Sequence, residues 1–377
     1  MTPGSVGSMH DHDIVVVGGG PAGTAAAITA ARLGLSVAVH DRARFPRDKT
    51  CGDGLTADAL RRVEALGLDP GAVPGWEVVH EAVLHSPSGR QVSLPVPADG
   101  AYITVAPRFE LDAALLDLAR DAGAKIVEES AVEAVEMDAE GVRARFSDGA
   151  AVRARYLVAA DGAYSPVRRL VAPGRPADLG EFHAFRQYFS GVSDRRLHVL
   201  FEPDLVPGYF WVFPLPDGRA NVGFGVPRVE GVKTRYLAQL WPELLERPSV
   251  RAVLGPDARP EGRHRAWPIP AQLRAGDLTY GRILFAGDAA AVTDPMTGEG
   301  IAQAIATGQV AAEAVARGGA VAARYRTMVE AELGADHRFA RRLGRLLSTP
   351  RGARACIRAA GLSGWTRRNF ARWLFED

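Results

Sequence analysis

Three short runs along the chain, residues 14–17, 156–160 and 282–286, carry the pattern of buried strands. Ile14-Val15-Val16-Val17 is β-branched throughout, as suits a strand covered on both faces of a parallel sheet. It leads into Gly18, Gly20 and Gly23, then an alanine-rich helical stretch at 22–33 that Gly34 ends. A second strand at 35–39 places Asp41 at its tip. Residues 156–160 end in Asp161-Gly162, and 282–286 end in Gly287-Asp288.

The pattern between these runs is different. Residues 76–97 alternate around Pro87-Ser88-Gly89 and read as two strands of another sheet. A helix at 111–122 precedes successive strands at 125–127, 131–137, 142–146 and 152–155. From 183 to 267 the chain is strand-rich, with a hairpin of 209–214 and 220–226 around Leu215-Pro216-Asp217-Gly218. An alanine-rich helix follows at 301–316, and beyond 321 the pattern is helical and arginine-rich. The expectation is an α/β protein. Its Rossmann-type nucleotide-binding domain is discontinuous (1–76, 99–180 and 276–320). A mostly antiparallel β-sheet substrate domain (77–98 and 181–275) is inserted into it, and 321–377 form C-terminal helices.

Composition excludes more than it assigns. The chain has 377 residues, 47% hydrophobic and 24% charged, with a net charge of +1, which gives no reason to expect a nucleic-acid partner. Its two cysteines, Cys51 and Cys356, form no C-x-x-C pair, so neither a disulfide framework nor a metal site is expected, in keeping with a reducing cytoplasm. Residues before Asp13 read as a disordered leader without a signal-peptide core. No apolar run approaches the length of about 18 residues that a spanning helix needs.

The chemistry begins at the first motif. In G-x-G-x-x-G, Gly18 permits a tight turn, Gly20 lets backbone approach a pyrophosphate, and Gly23 lets helix pack on strand. Asp41 lies where a carboxylate meets an adenosine ribose, and Arg42 follows it. This stretch alone leaves NAD and FAD equally open. The loop 42–56 is long for its position, which marks it as functional, and Thr56 has the character of an N-cap for a helix at 57–66. Arg108, at a helix start, faces either a cofactor phosphate or a surface ion pair. Alternation puts Tyr209, Trp211 and Phe213 on one face, as a wall for a flat apolar ligand or as ordinary sheet packing. Arg338, Arg341, Arg342 and Arg345 interleave with Phe339, Leu343 and Leu346, which suits a solvated basic face or a peripheral membrane contact.

With Asp161-Gly162 and Gly287-Asp288 added to the first motif, the chain resembles FAD-dependent oxidoreductases of the glutathione-reductase-like flavoprotein fold. Group A monooxygenases, flavin halogenases and geranylgeranyl reductases share that fold. The finer resemblance is to the geranylgeranyl reductase family. It is carried by Phe45-Pro46-Arg47-Asp48-Lys49-Thr50-Cys51-Gly52-Asp53-Gly54, by Tyr209-Phe210-Trp211-Val212-Phe213-Pro214 and by Gly298-Glu299-Gly300-Ile301. The last segment departs from the G-Q-G run usual in the monooxygenases. The middle one departs from the halogenase W-x-W-x-I-P at its first and fifth positions.

The resemblance implies FAD as cofactor, with Asp288 on the ribityl chain, Asp161 supporting the pocket, and helix 301–316 aimed at the flavin N1/C2=O edge. Cys51, Gly52, Val132, Pro295, Gly298, Gly300 and Ile301 complete the implied cofactor contacts. It also implies hydride transfer from the reduced flavin N5 to a C=C bond of a prenyl or other apolar substrate, a proton completing the saturation. Cys51 is then the residue for proton delivery or substrate positioning, or a small residue filling a tight loop, with Tyr209 and Trp211 beside the substrate. NADPH or a ferredoxin-like protein would supply electrons transiently. Two rival readings stand: a flavin monooxygenase acting on an aromatic or polyketide-like metabolite, and a ligand-binding scaffold with structural FAD. The expected setting is cytoplasmic or membrane-peripheral, and the oligomeric state is left open.

Overall fold

The computed structural model describes residues 10–95, 103–173, 180–228, 234–364, 366, 367 and 370. Most of the expected leader (1–9) and the chain end (371–377) lie outside the described residues. The α-helices are α1 (Pro21–Arg32), α2 (Ala57–Ala65), α3 (Arg108–Asp121), α4 (Pro166–Val171), α5 (Thr234–Leu245), α6 (Pro248–Leu254), α7 (Ile301–Ala316), α8 (Val321–Leu347) and α9 (Pro350–Ala360).

The strand His12–Val17 lies at the centre of the first sheet, where Val15 and Val16 are wholly buried. It pairs in parallel with Val37–His40 on one side and Ala151–Ala159 on the other. Outside these lie Lys125–Val127 and Ile283–Phe285, also parallel. The register aligns Val17 with His40 and Ala159, His40 with Val127, and Ala159 with Phe285. All five parallel strands therefore end along one edge, where ligands of open α/β sheets gather. An antiparallel pair, Val132–Met137 and Val142–Phe146, extends the sheet beside Ala151–Ala159. Where the pattern suggested separate strands at 152–155 and 156–160, one continuous strand runs. Its first half pairs with Val142–Phe146 and its second half with the central strand, so the polar start and apolar end serve different neighbours.

Helix α1 is squeezed between this sheet and α7. Ala25, Ala26, Ala27 and Ala30 are fully buried, and larger side chains would hold the layers apart. A Cβ on Gly23 would sit 1.8 Å from the Gly18 carbonyl oxygen, and one on Gly308 would sit 2.1 Å from that of Ala22.

The second sheet has seven strands: Arg259–Ile269, Phe182–Ser190, Arg219–Pro227, Tyr209–Leu215, Leu197–Leu200, Glu81–His85 and Gln91–Pro95, in that spatial order. All neighbours are antiparallel except Leu197–Leu200 with Glu81–His85. Phe185, Phe210, Val212 and Phe224 face α5 and α6, packing on Trp241, Leu244 and Val250. The segment 76–97, read as two strands, holds three. Glu77–Val79 leaves the large sheet to join Gly54–Leu55 and Ile103–Val105 in a three-stranded sheet. Among the described residues no helix is long and apolar enough to cross a membrane.

Candidate active site

Between the carboxyl edge of the first sheet and the free face of the second lies a cavity of ≈ 1000 Å³. Gly18, Gly20, Asp41, Arg42, Cys51, Gly52, Arg108, Val132, Asp161, Tyr209, Trp211, Asp288, Pro295, Gly298, Gly300 and Ile301 all line it. Gly23 and Gly287 stand behind its wall. Gly23 brings α1 against the first turn, and Gly287 (φ +59°) donates its N–H to Thr307 Oγ1 at 3.0 Å, joining the strand end to α7.

One end of the cavity is built for an anion. Helix α1 starts at Gly20 without a side-chain cap, so its first N–H groups are free to point outward. A Cβ on Gly20 would lie 3.6 Å from Arg47 Nη2 and 3.8 Å from Arg108 Nη2, which places two guanidinium groups at the helix start. Both are held by Asp112, which is fully buried one turn into α3: Arg108 binds it with two bonds of 2.6 and 2.7 Å, Arg47 with one of 2.9 Å. Burial opposes the charge on Arg108, but the Asp112 carboxylate outweighs it and leaves the guanidinium firmly protonated. Two cations share one anion, so a net positive charge faces the cavity. Asp41 accepts the Gly19 N–H (2.7 Å) and the Ala43 N–H (2.8 Å), which fixes its carboxylate at the strand tip. Beside it, His40 stacks on Phe146 at 3.8 Å and meets Ser130 Oγ at 2.8 Å. Burial drives its pKa down to about 4, so the ring is neutral.

The loop 47–54 crosses the middle of the cavity and is latched to the second sheet. Asp53, wholly buried at φ +63°, accepts Tyr188 Oη–H at 2.6 Å and Asn221 Nδ2–H at 2.7 Å. Burial pushes its carboxyl up to about 6 against the opposing pull of Arg186 and these two hydrogen bonds. The Cys51 carbonyl accepts from Asn221 (2.9 Å) and Arg186 (3.3 Å), and Arg186 also binds Asp48 at 2.6 Å. The Cys51 thiol is half-buried beside the Arg108 guanidinium, and burial raises its pKa, so the proton stays on sulfur. Lys49 packs 4.4 Å over the Trp267 ring with its ammonium 3.8 Å from Asp288.

The aromatic row forms the facing wall. Tyr209, Trp211 and Phe213 succeed one another at 6.0 Å between ring centroids. Gly223 makes the room: a Cβ there would lie 2.3 Å from Trp211 Cζ2. Trp211 Nε1–H donates to Asn221 Oδ1 at 3.0 Å, and Tyr209 Oη–H donates to the Thr297 carbonyl. The loop before α7 is wound on Asp294, whose Oδ1 accepts the N–H groups of Met296 (3.0 Å) and Thr297 (2.7 Å). Glu299 folds back on α7, accepting the N–H groups of Ile301 (2.8 Å) and Ala302 (2.9 Å), and burial raises its carboxyl to about 7. Asp161 turns to the start of α4, accepting Ser165 Oγ–H and Val167 N–H at 2.8 Å each. Its carboxyl is pushed up to about 6, chiefly by burial.

The FAD binding domain family matches residues 11–317 of the chain. Menaquinone reductase of Mycolicibacterium smegmatis is 31% identical over 90% of this chain and 85% of its own length. Digeranylgeranylglycerophospholipid reductase 2 of Methanopyrus kandleri is 30% identical over 90% and 87%. The chain belongs to this FAD-dependent reductase family. A geranylgeranyl bacteriochlorophyll reductase-like protein of Thermoplasma acidophilum shares its fold with a TM-score of 0.81 at 22% identity, over 97% of this chain and 96% of that one. The fold is shared as well with p-nitrophenol 4-monooxygenase of Pseudomonas putida (TM-score 0.76, 19% identity, 96% of this chain and 97% of that one).

The residues present fit FAD. The uncapped α1 start with Arg47 and Arg108 suits a diphosphate, and the fixed Asp41 carboxylate suits a ribose. Several residues that hold the cavity wall in place carry no motif or went unmarked in the sequence. Asp112 stands four residues after Arg108, the spacing of an intrahelical ion pair, and that signal was available. Arg186, Tyr188 and Asn221 carry no motif; only the fold brings them to the Cys51 loop. Among the described residues no cluster of metal-ligating side chains occurs.

Proposed function

We propose that this enzyme saturates C=C bonds of a prenyl or other apolar substrate. The observation that carries the reading is the division of one continuous cavity. Its cationic end suits a diphosphate, while Leu84, Leu197, Val199, Trp211, Phe213 and Ile357 make the other end apolar, and the Cys51 loop separates the two. Bound FAD supplies the hydride, from N5 of its reduced form.

The chain's own residues do the rest. Tyr209 and Trp211 hold the substrate chain against the Cys51–Gly52 loop and keep water away from it. Cys51 carries the proton that completes saturation, and burial, which keeps the thiol protonated at neutral pH, supports that role. Arg47, Arg108 and Gly20 hold the diphosphate, Asp41 and Arg42 the ribose side, and Val132 the adenine side. Asp288 takes the ribityl chain, and Pro295, Gly298, Gly300 and Ile301 border the ring. In this reading the ranges 1–76, 99–180 and 276–320 form the FAD-binding unit, 77–98 and 181–275 the substrate unit, and 321–377 the C-terminal helices. Electrons arrive from NADPH or a ferredoxin-like protein, and the enzyme works in the cytoplasm or at a membrane surface.

The test is anaerobic. Photoreduced enzyme mixed with geranylgeranyl diphosphate or a prenylquinone should reoxidise and yield product heavier by two hydrogens in its prenyl chain, a gain that for the quinone persists after its ring is returned to the oxidised form. Reoxidation that requires O₂ and adds oxygen to the product would instead make it a monooxygenase. Flavin that cycles with neither substrate is the result expected of a mere scaffold. Cys51→Ala should slow turnover with FAD content intact, and unchanged turnover would reduce Cys51 to packing.

A further inference from the structure

Helix α8 turns one face to the cavity, and on it stand Arg341 and Arg345. Both are exposed, and they lie one turn apart, where like charges repel. Ile357 and Phe370, which line the same cavity, pack in one cluster with Leu84, Leu197 and Phe213, and α9, which carries Ile357, follows α8 directly and packs on it. The carboxylates of the cavity wall have partners of their own. Asp48 is bound by Arg186 and Arg265, Asp288 faces Lys49, and Glu299 takes two N–H groups of α7. Among the described residues, neither Arg341 nor Arg345 has an ion-pair partner. A partly apolar cavity that also carries two unneutralised guanidinium groups on its lining is the complement of an anionic amphiphile.

We propose that Arg341 and Arg345 bind the phosphate or diphosphate headgroup of a substrate whose apolar chain fills the cavity. Guanidinium groups meet phosphate oxygens through paired hydrogen bonds, and their exposure spares them a desolvation cost before the ligand arrives. This inference rests on the reading of the cavity as a prenyl-chain site.

The test is equilibrium binding to oxidised, FAD-loaded enzyme, followed by flavin fluorescence, with geranylgeranyl phosphate and geranylgeraniol as chain-matched probes. The native enzyme should prefer the phosphate, and the preference should shrink as salt rises. The double variant Arg341→Gln/Arg345→Gln should lose roughly five- to tenfold in affinity for the phosphate. Its affinity for the alcohol and its melting temperature should be unchanged. Equal native affinity for both probes, or an equal loss on both, overturns the proposal. So does inorganic phosphate binding as tightly as geranylgeranyl phosphate, which would mark a free-anion site. A variant that releases phosphatidylglycerol vesicles yet keeps its affinity for soluble geranylgeranyl phosphate also overturns it, by assigning the arginines to a membrane surface. Binding requires no turnover. Failure to reduce either probe would therefore sink the reductase reading and leave this one standing.

Discussion

The buried carboxylate at Asp53 lets the latch on the Cys51 loop be measured. Its pKa of about 6, against 3.8 for a free aspartate, means that the folded protein prefers this carboxyl protonated. The sign follows from linkage: between the two values the native state binds more protons than the unfolded chain, so this group's contribution to stability falls as pH rises. A shift of that size corresponds to about 3 kcal/mol of destabilisation at pH 8, after the hydrogen bonds from Tyr188 and Asn221 have been counted. Asp53→Asn mimics the protonated carboxyl. It keeps one oxygen for the Tyr188 and Asn221 donors, and its amide faces the weak Arg108 N–H contact of 3.4 Å, a mismatch that costs about 1 kcal/mol. The variant should therefore be about 2 kcal/mol more stable than the native enzyme at pH 8 and about equally stable near pH 4.5. Urea unfolding at a fixed excess of FAD, at pH 4.5, 6.5 and 8, measures the difference directly. Asp53→Ala strands both donors at a left-handed backbone position and should lose about 2–4 kcal/mol near pH 4.5, a loss that shrinks by about 2 kcal/mol at pH 8 because this variant too removes the titrating carboxylate. A difference between the Asn variant and the native enzyme that does not change with pH would refute the assignment of a titrating carboxylate here.

Two other perturbations probe the FAD end. Asp112→Ala removes the shared anion of Arg47 and Arg108 and leaves buried positive charge uncompensated, at a cost of about 3–5 kcal/mol in the FAD-free protein. Because a bound diphosphate would partly replace that anion, the loss should shrink when FAD is present, and thermal melts with and without FAD check this. Gly308→Val places side-chain carbons where a Cβ already falls 2.1 Å from the Ala22 carbonyl, so α1 must shift. Destabilisation of about 1–3 kcal/mol and weaker FAD retention on gel filtration are expected, and a variant that keeps native FAD affinity would show that α1 does not depend on α7.

The FAD-binding part was largely legible in the sequence because its chemistry is local. The turn from Gly18 to Gly23, the carboxylate at Asp41 and the α7 boundaries at 301 and 316 each follow from a handful of neighbouring residues. The latch was not legible because it is assembled across the fold. Asp53 and Asn221 are separated by 168 positions, and neither stands in a pattern that announces the other. Glu299 was hidden in a subtler way. The start of α7 reads as free N–H donors, yet the residue just before its cap folds back to occupy two of them. The split of 76–97 between two sheets was hidden for a different reason: alternation reports which face is buried, not which neighbour provides the edge.

The same separation explains how one fold serves both reductases and monooxygenases. Most features of the cationic end, from Gly18 to the Arg108–Asp112 pair, belong to the first sheet and its helices, and Arg47 joins them from the Cys51 loop. The features that shape the apolar end come from the second sheet and from α8 and α9. The Cys51 loop alone belongs to both, springing from the first sheet and bonded through its carbonyl to Arg186 and Asn221 of the second. A change in the second sheet can therefore reach the reacting end of the cavity without loosening the cofactor, because Asn221 bonds the Trp211 ring, the Cys51 carbonyl and Asp53 at once. Substitution of Asn221 should accordingly alter turnover and substrate choice while FAD affinity stays near its native value, whereas substitution of Asp112 should do the reverse.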